Sequence, residues 1–283
     1  GSGACQYRLH IGTFPRPTGV VPAGGKPGEE LELTFLGDPS GPFKQKVKLP
    51  AAPDPNFRIH ATTPDGIHPA GLGFRLIDLP GVIESGANNT PAAATPGTAP
   101  GAFHGVIAKA GEVDYFKFPA KKGQVFDVRV YARQLGSPLD PVLNVGVLGG
   151  PNIGGNDDSG GPDSYLRFTA PDDKDIAIWV SDHLQKGGPD HFYRVEVTPV
   201  QASVTTTIPR VDGNNPANQE RQTIVVPKGG RYATLLQANR ADLGGPLNLG
   251  LGQLPAGVTI AAEAMDAGQG VVPVVFEAKA DAA

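Results

Sequence analysis

The apolar residues of this chain recur at every second position in short runs. Leu31, Leu33 and Phe35 alternate with Glu30, Glu32 and Thr34, and Phe126, Val128 and Val130 alternate with Asp127, Arg129 and Tyr131. The same pattern holds for Leu143, Val145 and Val147, for Leu166 and Phe168, for Ile176, Ile178 and Val180, and for Tyr193, Val195 and Val197. A period of two sends successive side chains to opposite faces of an extended strand, so each run reads as a strand with one buried face. Turn clusters separate the runs at intervals of about 8 to 15 residues, which points to sandwiches rather than a βαβ fold. The 39 glycines and 29 prolines are close to a quarter of the 283 residues, a level at which disorder competes with folding. Here they fall between the strand runs and act as turn punctuation.

Two stretches read as linkers. Residues 85–101 are rich in Ala, Thr, Pro and Gly, and residues 198–219 carry a Thr run followed by Asp212-Gly213-Asn214-Asn215-Pro216. Such composition cannot bury a core and marks a boundary. The expected blocks are therefore 1–84, 85–199 and 200–283. Gln6-Tyr7-Arg8-Leu9-His10-Ile11-Gly12 echoes Phe192-Tyr193-Arg194-Val195-Glu196-Val197-Thr198, so the first block reads as opening with the last strand of a preceding copy. Chance recurrence of strand-like sequence is the competing explanation. Gly1-Ser2-Gly3 reads as a cloning remnant, and the chain reads as a piece of a longer one.

A formal charge of −4 with no basic stripe disfavours a nucleic-acid partner. No run approaches the roughly 18 apolar residues of a membrane helix. Cys5 is the single cysteine, so neither an intramolecular disulfide nor a thiolate zinc cluster is available.

Six stretches in order resemble the bacterial pre-peptidase C-terminal (PPC) domain family over residues 84–198. They are Glu84-Ser85-Gly86-Ala87-Asn88-Asn89-Thr90, Gly111-Glu112-Val113-Asp114-Tyr115-Phe116-Lys117-Phe118, Lys122-Gly123-Gln124, residues 135–143, the acidic loop 156–164, and Tyr193-Arg194-Val195. The sequence departs from the family at residues 171–176, where Pro171-Asp172-Asp173-Lys174-Asp175-Ile176 replaces a Gly-Xaa-Tyr turn. The strand alternation resumes at Ile176, so the fold is expected to survive the change. The resemblance implies a jelly-roll-like sandwich, carried by secreted proteases and other extracellular enzymes, which helps export, position or bind substrate and is not itself catalytic. Residues 13–84 and 200–283 look like immunoglobulin-like sandwiches, the second through Leu254-Pro255-Ala256-Gly257-Val258.

Four oxygen donors lie close together in the acidic loop: Asn156, Asp157, Asp158 and Asp163, with Gly160 and Gly161 allowing a tight bend. With Asp140 or Asp182 from a neighbouring loop they would form part of the six- to eight-oxygen shell of a calcium ion. The alternative is a polar turn bonded to its own backbone. Asp182-His183 and Asp190-His191 flank Gly187-Gly188-Pro189 and either coordinate a metal or decorate that turn. Trp179 and Tyr131 are out of phase with the apolar positions of their strands. They are expected on outer faces, either as a small platform for the apolar face of a sugar ring or packed against a loop or neighbouring domain. Asn88-Asn89-Thr90 has the glycosylation pattern, which in a bacterial protein reads as an exposed loop.

Catalytic signatures are thin. The six histidines, His10, His60, His68, His104, His183 and His191, form no His-Glu-Xaa-Xaa-His pair. Gly37-Asp38-Pro39-Ser40-Gly41 lacks the spacing of a nucleophile elbow. The resulting expectation is three all-β sandwiches in tandem from a secreted, periplasmic or surface-held protein. They would act as a non-catalytic module binding polysaccharide, envelope or a protein partner, or as a spacer beside a catalytic domain, with a hydrolase as the remote third reading. Binding predicts an exposed aromatic face that includes Trp179. A spacer predicts Trp179 buried at a domain boundary and contacts that fix the interdomain angle.

Overall fold

The computed structural model describes residues 9–159, 161–208, 223–243, 245–250 and 252–282. Cys5, residues 6–8 of the Tyr-Arg echo, Gly160 and the 212–216 turn cluster lie outside the described residues. The fold is all-β, with two three-residue 3-10 turns as its helical elements among the described residues. No helix there is long and apolar enough to cross a membrane. The chain divides into two compact units, residues 1–199 and 200–283.

The first unit contains two main cores. Strands β1 (Gly19–Val21), β2 (Glu30–Leu36) and β3 (Phe43–Lys48) form an antiparallel sheet in the order β1-β2-β3. Leu33 and Phe35 of β2 are fully buried, with Val20, Ile59, Phe74 and Leu76, in the smaller of the two cores. This is the inward face that the alternation over 30–36 predicts.

The larger core lies in a ten-strand sandwich. Its strands are β4 (Gly81–Ile83), β5 (Thr95–Pro96), β6 (Gly101–Val106), β7 (Val113–Pro119), β8 (Val125–Tyr131), β9 (Pro141–Val147), β10 (Asn152–Asn156), β11 (Tyr165–Thr169), β12 (Asp175–Asp182) and β13 (Phe192–Pro199). The back sheet has the order β4-β6-β13-β8-β11 and the front sheet β5-β7-β12-β9-β10. The pairings β4·β6 and β5·β7 are parallel and the rest are antiparallel. Phe126, Val128 and Val130 face Phe116, Phe118, Leu143, Val145, Ile176, Ile178 and Val180 in one continuous apolar layer. Phe118 and Phe126 meet edge to face at 5.2 Å, and Phe126 stacks on Phe168 at 5.6 Å. Each large side chain buried in this way contributes about 1.5–3 kcal/mol.

The back sheet is covered by the first block. All six residues from Phe192 to Val197 are buried, so β13 is dry on both faces rather than alternating. Ala23, Leu135 and Phe192 form an apolar seam with Val21, Leu36 and Tyr131 around it. Gly19 lies so close to β13 that a Cβ there would fall 2.4 Å from the Phe192 ring. A buried charge network runs through the same seam. Arg75 donates from Nε to Glu196 Oε1 at 3.0 Å and from Nη2 to Oε2 at 2.9 Å, and Arg194 donates from Nε to Glu196 Oε1 at 2.8 Å. Arg75 also lies over the Tyr131 ring, 3.9 Å from its centroid.

His104 completes the seam. The Ala23 N–H donates to Nδ1 at 3.1 Å, and Arg194 Nη1 lies 2.9 Å from Nε2. Burial, then the Arg194 charge, holds this imidazole well below its usual range, so it is neutral. A neutral ring accepts at one nitrogen only. One of the two donors is therefore unsatisfied in either tautomer, and Arg194 Nη2 has no hydrogen-bond partner.

In the second unit β14 (Ser203–Thr207), β15 (Arg231–Ala241), β16 (Val258–Ala262) and β17 (Val271–Ala278) form an antiparallel sheet in the order β14-β15-β17-β16. One face packs Ala238, Val272 and Val274 under Met265, Leu247 and Leu249.

Candidate functional site

The outer face of the front sheet is built in rows by the strand register. Val113, Ser181 and Val142 form one row. Tyr115, Trp179, Asn144 and Gly155 form the next, and Lys117, Ala177 and Gly146 the third. Trp179 is partly exposed, and its ring stacks on Tyr115 at 5.6 Å with 23° between the planes. Small residues keep the surface beside the stack flat. A Cβ at Gly155 would fall 2.5 Å from Asn144 Oδ1, so any larger residue would displace that amide. Beyond the Val113–Ser181–Val142 row the face opens into a cleft of about 370 Å³, closed by Gly111, Glu112, Asp182, His183 and Gln185.

The platform expected from Trp179 and Tyr131 together is not formed. Trp179 stands on the front sheet, and Tyr131 stands on the outer face of the back sheet, beneath Arg75 of the first block. Being out of phase with the core places a residue on the outside of its own sheet, but a sandwich has two outsides. The aromatic partner of Trp179 is Tyr115. Tyr131 is at the boundary between the first two blocks.

The expected calcium set Asn156, Asp157, Asp158 and Asp163 does not converge. Asp163 is fully buried and turned away from the loop. Its Oδ2 accepts the Ala132 and Gln134 N–H groups at 3.1 and 3.2 Å, and its Oδ1 accepts the Arg133 N–H at 2.8 Å. It therefore caps the 3-10 turn Arg133–Leu135. Asn156 Oδ1 accepts the Ser159 and Tyr165 N–H groups, which closes the loop on itself. Asp157 lies 3.6 Å from His183 Nδ1, and Asp158 is exposed.

The neighbouring acids are also engaged. Asp182 accepts the Asp140, Leu184 and Lys186 N–H groups, and Asp140 pairs with Arg133 at 2.9 Å. His191 lies against Asp190, so the two Asp-His pairs do not meet. Among the described residues no group of three or more His, Cys, Asp or Glu side chains is placed to hold a metal. Replacing Asp163 by Asn sets an amide donor against backbone N–H donors at a buried site and is expected to lower stability by about 1–3 kcal/mol. Asp158→Asn should melt with the wild type in a calorimetric scan.

Glu84 and Asp114 form an arrangement that the loop analysis passes over. Asp114 is 1% exposed and shares the inward phase of Phe116 and Phe118 on β7. It accepts the Tyr193 hydroxyl proton at 2.7 Å. Glu84 accepts the Val106 N–H at 3.1 Å and is hydrogen-bonded to Asp114. Burial, then the neighbouring Asp114 charge, pushes Glu84 up to about 8, and burial pushes Asp114 up to about 6. The two carboxyls are best read as one titrating pair that holds a proton at neutral pH. Asn88 is buried and its Nδ2 donates to the Tyr115 carbonyl at 3.2 Å, and Asn89 Nδ2 donates to Glu112 Oε1 at 3.0 Å. The sequence signal is an Asp at an inward strand position.

No protein-family model matches the chain. A stretch of 77 residues, 27% of the chain, is 35% identical to a probable subtilase-type serine protease of Deinococcus radiodurans, and the match spans 11% of that relative's length. Among solved structures, the PPC domain of a Bacillus anthracis collagenase aligns over 37% of this chain and 93% of its own, at 12% identity and a TM-score of 0.31. A periplasmic inhibitor of g-type lysozyme from Aeromonas hydrophila aligns over 38% of this chain and 99% of its own, at 18% identity and a TM-score of 0.28.

Proposed function

We propose that this chain is a non-catalytic accessory segment of an exported bacterial protein, and that it holds polysaccharide on the outer face of its front sheet. The observation that carries the reading is the Tyr115–Trp179 stack, partly exposed on a flat sheet face with Asn144 beside it and a cleft at its end. Flat aromatic surfaces suit the C–H-rich face of a pyranose ring, and flanking amides and hydroxyls suit its rim. The non-catalytic half is supported by the histidines. His104 is sealed in the seam, and His60 Nδ1 is bonded to the His68 carbonyl. The partial relative, a protease matched over a tenth of its length, fits a segment that accompanies an enzyme.

Depletion of the purified chain by a panel of insoluble and soluble polysaccharides tests this. Trp179→Ala should cut retention by up to about tenfold, the loss of one good stacking contact, with the fold retained at a lower melting temperature. Tyr131→Ala should leave retention intact. Absence of retention on every polymer would overturn the binding role and favour the spacer, which the charge network between the first two blocks also suits.

A second reading concerns calcium and draws on Glu84 and Asp114 rather than the 156–163 loop. Two interacting carboxyls, each also raised by the Glu112 charge, supply paired oxygens of the kind a hard cation takes, with the remaining ligands left to backbone carbonyls and water. Calorimetric titration should show binding that Asp114→Asn abolishes and Asp157→Asn leaves alone. The reverse pattern, or no heat at all, would remove this site.

A further inference from the structure

We infer that the polysaccharide taken by the front-sheet face carries free amines, as a partly deacetylated amino-sugar polymer does; this rests on the binding role proposed for that face. The argument is charge complementarity in the cleft next to the stacked rings. Its charged lining consists of the Glu112 and Asp182 carboxylates and one imidazole, His183, with the Asp157 carboxylate 3.6 Å from that ring. Amide donors hold these carboxylates in place: Lys109 N–H and Asn89 Nδ2 at Glu112, and three backbone N–H groups at Asp182. Such donors orient a carboxylate without cancelling its formal charge. Lys109 and Lys186 reach these acids through backbone amides, and neither lines the cleft.

A sugar chain that runs along the strands through Trp179 has one neighbour at the row Val113–Ser181–Val142, at the mouth of this cleft, and the other at the row Lys117–Ala177–Gly146. A protonated amine on the neighbour at the cleft meets the Glu112 carboxylate and the field of the buried Asp182. A uronate or sulfate at the same place meets the same charge sign and is repelled.

The test compares retention on chitosan, chitin, cellulose and polygalacturonate at low and high salt. Chitosan should retain several-fold more chain than chitin or cellulose at low salt, and the excess should vanish as salt screens it. Polygalacturonate should retain none. Glu112→Gln should remove most of the chitosan excess, lowering the ratio of chitosan to cellulose retention at low salt toward one. Glu32→Gln, the same charge change in the first block beside Lys44, should do nothing. Equal retention on neutral and amine-bearing polymers would overturn the inference and leave the binding face standing. An equal effect of Glu32→Gln would reduce the preference to net charge and overturn it also. Loss of retention on all polymers, in wild type as in Trp179→Ala, would remove both.

Discussion

Glu196→Gln should destabilise the 1–199 unit by about 3 to 5 kcal/mol, the cost of removing one partner from a buried ion cluster. In a unit of this size that is a drop in melting temperature of roughly 6 to 20 °C. The residue is nearly isosteric, so packing changes little and the loss measures charge. Among the described residues Glu196 is the single carboxylate paired with the two guanidiniums. Arg194 is 0% exposed at its side chain and Arg75 16%, so water cannot take over either. Burial already lowers the Arg194 pKa, and the Glu196 carboxylate works against that shift. A companion variant separates charge from shape. Replacing Arg75, Arg194 and Glu196 together by Met and Leu should restore most of the stability, because an apolar triad avoids the desolvation of three ions. A shift below about 1 kcal/mol for Glu196→Gln would mean that solvent reaches the seam and that the two blocks are not firmly joined.

The strand phase made the core legible. Every inward position named from the alternation over 126–130, 143–147, 176–180 and 193–197 is buried, because a residue's face on its own strand is a local property. Non-local properties were hidden. Arg194 and Glu196 occupy the outward phase of β13, where solvent is the default, yet the first block covers them. Nothing within ten residues of Glu196 specifies Arg75 as its partner. The sheet carrying each outward aromatic was equally hidden, so Trp179 was set beside Tyr131 when its neighbour is Tyr115, reached through the β7·β12 register.

The acidic loop shows the same limit. Asp163 looked like its neighbours Asp157 and Asp158 in composition, but its partners are the amides of residues 132–134, some thirty positions away. Asp114 was readable in principle. A carboxylate between inward Phe positions has to be neutralised, hydrogen-bonded or matched to a cation.

That buried carboxyl predicts how stability depends on pH. In the unfolded chain Glu84 and Asp114 ionise near 4.5 and 3.8, and in the fold they hold their protons up to about 8 and about 6. Between these limits the native state binds more protons than the unfolded state, so stability falls as pH rises. His104 and His68 act with the opposite sign. Their pKa values are lowered in the fold, so their contribution grows with pH and is complete once pH exceeds their ordinary range of about 6.5. The acid limb therefore mixes two opposed slopes, and the limb from pH 6.5 to 8.5 belongs to the carboxyl pair.

Over that limb a dry Glu84 would cost about 2 kcal/mol, and solvent at its partly exposed carboxyl reduces this to between about 1 and 2. Thermal melts in EDTA should thus shift down by several degrees from pH 6.5 to 8.5, and Glu84→Gln should flatten the change while leaving the melt at pH 6.5 close to wild type. On the calcium reading proposed above, the ion added at pH 8.5 should restore the wild-type melt and leave Glu84→Gln where it was. A wild-type profile that is flat above pH 6.5 would show that Glu84 is already ionised in the fold, with water rather than Asp114 as its neighbour.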